Sequence, residues 1–225
     1  MSQRTTDADA TVADAVEAFR RGGPVLIHDF DDREGETDIV YPARAVTPRD
    51  VARLRNDAGG LVCVAVADEV GAAWELPFLD DAIDHPATAD HQLRYDDRSS
   101  FSIPVNHRDT FTGITDEDRA LTISRLGEAA AAAPEYGVED FSAEFRSPGH
   151  VNLLRGAPNL LEDRQGHTEL GLALAAEAGL PPAVVVAEML DDETSRARSP
   201  ADASAYARRH GLVYVEGDRL LEALR

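Results

Sequence analysis

The sequence predicts a single domain of the mixed α/β class, in which helices flank a mixed β-sheet. Its 225 residues are enough for one hydrophobic core of ordinary size and few for two. Short apolar runs alternate along the chain with segments of helical periodicity. We find no internal repeat. We therefore expect residues 1–225 to form one domain.

The chain begins with a predicted helix over residues 11–21, where apolar side chains recur at helical spacing. A Gly-Gly-Pro sequence follows and ends this helix. The apolar run 25–30 then predicts a first strand. After an acidic segment, the run 39–41 predicts a second strand.

The middle of the chain continues this alternation. Thr47 and Pro48 are typical of an N-cap and a first helical position, so a helix is predicted up to residue 59. The run 61–67 is apolar throughout, which is typical of a strand buried on both faces. Residues 76–100 are polar and rich in turn residues, and we expect an irregular insert there.

The second half of the chain is predicted from the same signals. A Thr-Asp-Glu-Asp sequence at residue 115 resembles a capping box and opens a helix. The predicted strands of this half are 101–105, 151–154, 183–190 and 212–215. The predicted helices are 115–132, 168–178, 200–209 and a short closing helix.

The charge of the chain is strongly negative, with 42 Asp and Glu against 22 Lys and Arg, a net charge of −20. Nucleic acid is therefore not an expected partner, because phosphate backbones are bound by basic patches. The acidic residues are spread among regular apolar segments, unlike those of a disordered tail. This composition is typical of proteins from organisms with molar internal salt, and we expect the chain to need salt to stay folded.

All basic residues are arginine, and this excludes two classes of chemistry. A Schiff base and a Walker-type phosphate loop both need a lysine amine. The lone Cys63 cannot form a disulfide within the chain or a Cys-based zinc site. With no apolar stretch of membrane-spanning length and no targeting segment at its start, the chain is expected in the cytoplasm, without a membrane partner.

The most acidic segment is DFDDREGETD at residues 29–38, directly after the first predicted strand. Ligands of α/β folds bind at the carboxyl ends of strands, so this segment is a candidate site for a hard cation. A calcium loop is excluded, because neither the glycine nor the final glutamate falls at the required position. A solvated surface loop remains the alternative.

Two histidines and one glutamate are further candidate site residues. His150 follows Pro-Gly at the entrance of a predicted strand, and His167 lies at a helix start within the sequence RQGHT. Arginine, glycine, a helix N-terminus and a hydroxyl are suited to binding phosphate. Glu188 lies in an apolar run, where a carboxylate is costly to bury and is a candidate for proton transfer. Structural histidines, a plain helix start and an exposed strand edge are the alternatives.

Five motifs, taken together and in this order, resemble those of the 3,4-dihydroxy-2-butanone 4-phosphate synthase family of riboflavin biosynthesis. The resemblance covers residues 23–215. The motifs are Arg33-Glu34-Gly35-Glu36 with Asp38, TGITDEDRALT at 112–122, SPGHV at 147–151, RQGHTE at 164–169 and AEM at 187–189.

The resemblance implies a lyase of that family's fold, which converts D-ribulose 5-phosphate to 3,4-dihydroxy-2-butanone 4-phosphate and formate with Mg²⁺ or Mn²⁺. It places the metal ligands on Glu34 and His167 and the acid–base residues on His150 and Glu188. Substrate contacts would fall on Arg33, Asp38, Thr112, Arg164, Gly166, Thr168 and Glu188. It also implies a homodimer with active sites near the subunit interface, and no fused cyclohydrolase domain.

Two alternatives remain open at this point. A related metal-dependent sugar-phosphate isomerase or aldolase would share the metal and phosphate sites but would release no formate. A non-catalytic metabolite-binding module would be expected to lack one or more of Glu34, His150, His167 and Glu188, and all four are present.

Overall fold

A computed structural model describes residues 5–30, 32–88, 96 and 98–225, with side chains described from residue 12 onward. Asp31 of the acidic segment and parts of the predicted irregular insert lie outside these residues. The helices are α1 Thr5–Arg20, α2 Pro48–Arg53, α3 Asp68–Ala73, α4 Leu79–Ala82, α5 Asp116–Ala131, α6 Val138–Glu144, α7 His167–Glu177, α8 Pro200–His210 and α9 Gly217–Leu224. The strands are β1 Val25–His28, β2 Thr37–Pro42, β3 Cys63–Val66, β4 Phe101–His107, β5 Phe145–Arg155, β6 Ala183–Glu188, β7 Leu190–Asp191, β8 Arg196–Ala197 and β9 Val213–Glu216.

Among the described residues, seven strands form one sheet in the order β4-β5-β3-β6-β2-β1-β9, and β7 pairs with β8 separately. The β1/β9 and β3/β5 pairs are parallel and the other pairs of the large sheet are antiparallel. The structure therefore confirms the mixed α/β class with a mixed sheet.

Helices cover both faces of this sheet. Apolar side chains of α5 and α8 pack on one face, and those of α1, α7 and α9 pack on the other. Successive residues of β3 alternate between the two cores: Val64 and Val66 belong to the first, and Cys63 and Ala65 to the second. This double burial explains why the strand is apolar throughout rather than alternating.

Several local predictions are confirmed and others are corrected. Thr115 caps α5, its Oγ1 accepting the backbone N–H of Asp118 at 3.1 Å. β2 begins at Thr37, earlier than predicted, so Asp38 lies on a strand and not in the acidic loop. β5 begins at Phe145, and His150 therefore lies inside this strand.

The short helices α3 and α6 were not predicted, and α4 lies in the segment that was predicted to be irregular, which is corrected at Leu79–Ala82. A helix was predicted from Pro48 to residue 59. Its α-helical part ends at Arg53, and a π-helical turn, Leu54–Ala58, follows directly. Within the described residues, no helix has the length and apolar character needed to cross a bilayer.

Candidate active site

The candidate active site lies where the loop between β1 and β2 meets the N-terminus of α7. Because β2 pairs with β6, Asp38 at the start of β2 lies opposite Glu188 at the end of β6. Helix α7 packs closely on these strands: a Cβ added to Gly171 would lie 3.1 Å from Val184 of β6. This close packing brings His167, the first residue of α7, to the end of the strands that carry the two carboxylates.

Three side chains converge here as a candidate metal centre: Asp29, Glu34 and His167. One ligand atom from each lies within 4.8 Å of the others. Nδ1 of His167 is 2.8 Å from Oε2 of Glu34 and 3.8 Å from Oδ2 of Asp38. Oδ1 of Asp29 accepts the backbone N–H of Glu36 at 3.0 Å, which fixes this side chain from the other side. The structure thus brings together Glu34 and His167, the predicted ligand pair.

The donor set fits a hard divalent cation. Three buried oxygens of this cluster have no hydrogen-bond partner among the described residues: Oδ2 of Asp29 and both carboxylate oxygens of Asp38. Oε2 of Glu34 and Nδ1 of His167 face each other at 2.8 Å as an ion pair, but they do not form a well-aligned hydrogen bond with each other or with another described residue. Leaving such an atom without a partner costs about 1–3 kcal/mol. Carboxylate oxygens with one imidazole nitrogen are suitable ligands for magnesium or manganese. A bound cation would therefore satisfy these atoms.

Burial and the neighbouring charges shift the pKa values of the cluster. Burial raises the pKa of Asp38 to about 8. Burial alone would lower the pKa of His167, but the carboxylates of Asp38 and Glu34 outweigh it and raise this pKa to about 10. Burial likewise opposes ionisation of Glu34, yet its contact with His167 lowers the pKa of this carboxyl. Without a cation, the cluster therefore holds protons at neutral pH.

Two arginines lie beside this cluster and share one counter-ion. Nη2 of Arg33 lies 2.9 Å from Oδ2 of Asp96, and Arg164 contacts the same oxygen through Nε. Arg164 also donates to Oγ of Ser100 through Nη1. The side chains of both arginines are only 15% exposed. Paired guanidinium groups in such a partly dry position favour an anionic ligand.

The N-terminus of α7 adds further donors next to the arginines. Gly166 is the N-cap, and a Cβ there would lie 3.3 Å from Nη2 of Arg33, so glycine keeps this approach open. Thr168 is buried, and its Oγ1 has no hydrogen-bond partner among the described residues. A helix N-terminus with an unpartnered hydroxyl and two arginines is suited to a phosphate group.

A cavity of about 430 Å³ lies at this cluster. Its lining combines Glu34 and His167 of the metal cluster with the two arginines and Glu188. The full lining is Arg33, Glu34, Glu36, Cys63, Ser99, Ser100, Phe101, Leu154, Arg164, His167, Thr168 and Glu188. A larger cavity of about 570 Å³ lies between residues 158–162 and the ends of α7 and α9, and none of the predicted site residues lines it. The volume of the first cavity suits a small polar metabolite.

Glu188 is held at the rim of this cavity by the chain that precedes β3. Its Oε2 accepts the backbone N–H of Leu61 at 2.9 Å, and its carbonyl accepts the N–H of Gly60 at 3.0 Å. A Cβ on Gly60 would lie 2.3 Å from Oε2 of Glu188, so glycine is required for this close approach. The carboxylate is therefore both positioned and accessible from the cavity.

Comparison with known proteins decides the family. Residues 13–223 match the family model for 3,4-dihydroxy-2-butanone 4-phosphate synthase. The curated synthase of Methanosarcina acetivorans is 49% identical over 219 residues, which cover 93% of this chain and 89% of that protein. The chain belongs to the 3,4-dihydroxy-2-butanone 4-phosphate synthase family. The resemblance found in the sequence is thereby confirmed.

Solved structures agree with this result. The Candida albicans synthase structure is 30% identical, with a TM-score of 0.77 and coverage of 95% of this chain and 97% of that one. Another synthase structure, described as in complex with two magnesium ions, is 30% identical with a TM-score of 0.76 and covers 93% of this chain and 94% of that one. Both support the fold class and the enzyme class.

Four predicted site residues are not part of the cavity lining. Asp38 and Gly166 lie next to it, because Asp38 pairs with Glu188 and Gly166 directly precedes His167. His150 and Thr112 lie farther away. Leu154 of β5 lines the cavity, and His150 lies four residues earlier on the same strand, roughly 13 Å away at the usual rise of a strand. Thr112 is exposed in the loop before α5, where its backbone N–H and Oγ1 both contact Oδ2 of Asp118 at 3.2 Å. Within one chain, these two residues form a separate region.

The structure adds site residues that the sequence did not single out. Asp29 was named as part of the acidic segment but was not predicted to be a metal ligand. Its position directly after β1, where ligands of α/β folds bind, could have indicated this role. Glu169 is fully buried, accepts the backbone N–H of Ala157 at 3.0 Å and lies 3.4 Å from Nη1 of Arg164. Cys63 was interpreted as a core residue, and it is buried but also lines the cavity.

Proposed function

We propose that this cavity is the active site in which the chain converts D-ribulose 5-phosphate to 3,4-dihydroxy-2-butanone 4-phosphate and formate, the reaction of its family in riboflavin biosynthesis. The observation that supports this proposal is the convergence of Asp29, Glu34 and His167 beside a cavity that two arginines also line, with buried carboxylate oxygens that lack a hydrogen-bond partner among the described residues. This arrangement offers one subsite for a cation and another for a phosphate.

Magnesium is the proposed cation, because a related structure of the family is described with two magnesium ions. Manganese is a second candidate with the same ligand preferences. Glu34 and His167 would hold the ion, and Asp29 lies close enough to support it. When bound, the cation supplies positive charge beside the carbonyl and hydroxyl oxygens of the ketose, which makes the neighbouring C–H more acidic.

The side chains around the cavity would bind the substrate and move its protons. Arg33, Arg164 and Thr168, which line the cavity, would bind the phosphate end of the substrate together with Gly166, the N-cap of α7. Asp38 and Glu188, which face each other across β2 and β6, would orient the hydroxyls, with the Glu188 carboxylate taking the proton from carbon. His150 would be the acid–base residue that acts on the oxygen atoms of the substrate.

The reaction is tested by its products. Purified protein in about molar KCl, which screens charge over ~3 Å, is mixed with D-ribulose 5-phosphate and magnesium and followed by NMR. We expect formate and the four-carbon phosphate in equal amounts. A sugar-phosphate isomerase or aldolase would consume substrate without formate, and a binding module would leave it unchanged; either result would contradict the proposal.

We further propose that the protein is a homodimer that shares its active sites between subunits. His150 and Thr112 are exposed and lie away from the cavity of their own chain. Next to Thr112, the side chains of Phe111 and Ile114 are 93% and 51% exposed, an unusual display of apolar surface. A second copy covering this surface would bring His150 and Thr112 to its own cavity.

Binding of the cation is expected to release protons. The pKa of Asp38 is raised to about 8 and that of His167 to about 10, so both groups hold protons in the metal-free protein at pH 7. A protonated Nδ1 cannot ligate, so the metal must displace about one proton, and the affinity rises with pH until these groups have ionised.

Calorimetric titration with magnesium in two buffers of different ionisation enthalpy measures the released protons. We expect the apparent heat to differ between the buffers and the affinity to increase from pH 6 to pH 8. An affinity independent of pH over this range would contradict the assignment of His167 as a ligand.

We also propose a cytoplasmic, single-domain protein adapted to concentrated salt. The described helices on both faces share one seven-stranded sheet, which supports one domain. The net charge of −20 predicts self-repulsion that molar salt screens. We expect the melting temperature, followed by circular dichroism, to rise between about 0.1 M and about 2 M KCl. A melting temperature that falls over this range would contradict the adaptation.

A further inference from the structure

The side chain of Asn106, which does not line the cavity, contacts both the backbone N–H and the imidazole ring of His150. β4 and β5 pair with a break in register: Val105 pairs with Val151, but Asn106 pairs with Arg146. Residues 147–150 therefore form a bulge, and they have no partner in the β4/β5 register. The side chain of Asn106 holds one end of this bulge, because its Oδ1 accepts the backbone N–H of His150 at 2.8 Å.

The same amide also faces the imidazole ring. Nδ2 of Asn106 lies 3.1 Å from Nδ1 of His150, and Oδ1 lies 3.3 Å from it. Since the backbone N–H of His150 needs an acceptor, it fixes which end of the amide is oxygen. The closer atom, Nδ2, can only donate, which favours the tautomer in which Nδ1 accepts. A proton on Nδ1 would instead have to share Oδ1, which already accepts the backbone N–H of His150.

The surroundings keep the amide in this position. Asn106 is 4% exposed. On its far side, a Cβ on Gly113 would lie 2.1 Å from Nδ2, and Gly113 has a φ of +88°, so glycine is needed for this approach. The loop that carries Thr112 thus packs against the amide that contacts His150.

We infer that Asn106 is a positioning residue that holds the neutral His150 ring in the tautomer with its proton on Nε2. His150 then donates a hydrogen bond through Nε2 to an oxygen of the substrate that gains negative charge. It does not act as the base that removes a proton from carbon, and that role falls to Glu188. The inference rests on the proposed catalytic role of His150.

The first test is nitrogen NMR of the wild-type protein labelled at histidine. The two ring resonances of His150, identified by their absence in His150→Ala, are recorded near neutral pH. We expect the protonated nitrogen of the neutral ring to be Nε2. A proton on Nδ1 would overturn the inference, whatever the activity of any variant.

The second test is Asn106→Asp, which keeps an oxygen for the backbone N–H of His150 but replaces the Nδ2 donor with an acceptor. We expect the ring proton to move to Nδ1 and kcat to fall on the order of 10²-fold, with little change in KM, because Asn106 does not line the cavity. Asn56→Asp, an exposed change of the same charge, is the matched control and should retain wild-type kinetics.

The outcomes separate this inference from the proposed function. If Asn106→Asp folds and keeps the wild-type kcat while His150→Ala is inactive, the inference is wrong and the role of His150 stands. If His150→Ala keeps full activity, both the role of His150 and the inference are wrong.

Discussion

Replacing Glu34 with glutamine is expected to abolish metal-dependent formation of formate while leaving the fold intact. Oε2 of Glu34 lies 2.8 Å from Nδ1 of His167, and the two side chains are each 13% exposed. Glutamine keeps the size of the side chain but removes its negative charge and half of its acceptor capacity. We expect kcat to fall on the order of 10³-fold, because both the cation and its charge stabilisation are lost.

Glu193→Gln, at an exposed position, is the matched control for the same chemical change. It should retain wild-type turnover. Circular dichroism of Glu34→Gln should match that of the wild type, and calorimetry should show weakened magnesium binding. Retained turnover of Glu34→Gln at saturating magnesium would contradict the ligand assignment.

The second large effect is recovery of activity when two inactive variants are combined in one dimer. Alone, Glu34→Gln lacks the metal centre in both cavities, and His150→Ala lacks the histidine that would serve both. In a mixed dimer, one cavity carries both defects and the other carries neither, if His150 comes from the partner. Random pairing of equal amounts makes half of the dimers mixed, so about a quarter of the wild-type sites are restored.

Co-expression with two different affinity tags allows the mixed dimer to be isolated and its formate production measured. A control pairs Glu34→Gln with His167→Ala, whose defects lie in the same cavity, and this pair should remain inactive. No recovery in the first pair would place His150 in the active site of its own chain, or outside any active site.

Much of the cavity could be predicted because its residues lie in short, distinctive motifs. Glu34 follows β1 within a single acidic loop, and His167 begins a helix next to the arginine and glycine of RQGHT. What these motifs do not encode is distance between segments. The approach of α7 to β6, which depends on Gly171, becomes visible only in three dimensions.

The location of His150 shows why the rest could not be predicted. Its motif indicates chemistry, but a sequence pattern does not say whether the residue serves its own chain or another. The register break between β4 and β5 depends on contacts of Asn106 with residues about forty positions away. Short helices such as α6 were also missed, because tertiary packing of Phe141 on Trp74 stabilises it more than local propensity does.

We propose that Asp29, Glu34 and His167, whose cluster includes buried oxygens without a hydrogen-bond partner among the described residues, bind the divalent cation. Crystals grown with manganese in place of magnesium would locate the ion by its anomalous scattering. We expect an anomalous peak within ligand distance of Oε2 of Glu34 and Nδ1 of His167, next to Asp29. A fully occupied manganese ion bound elsewhere in the chain, with this cluster empty, would contradict the account.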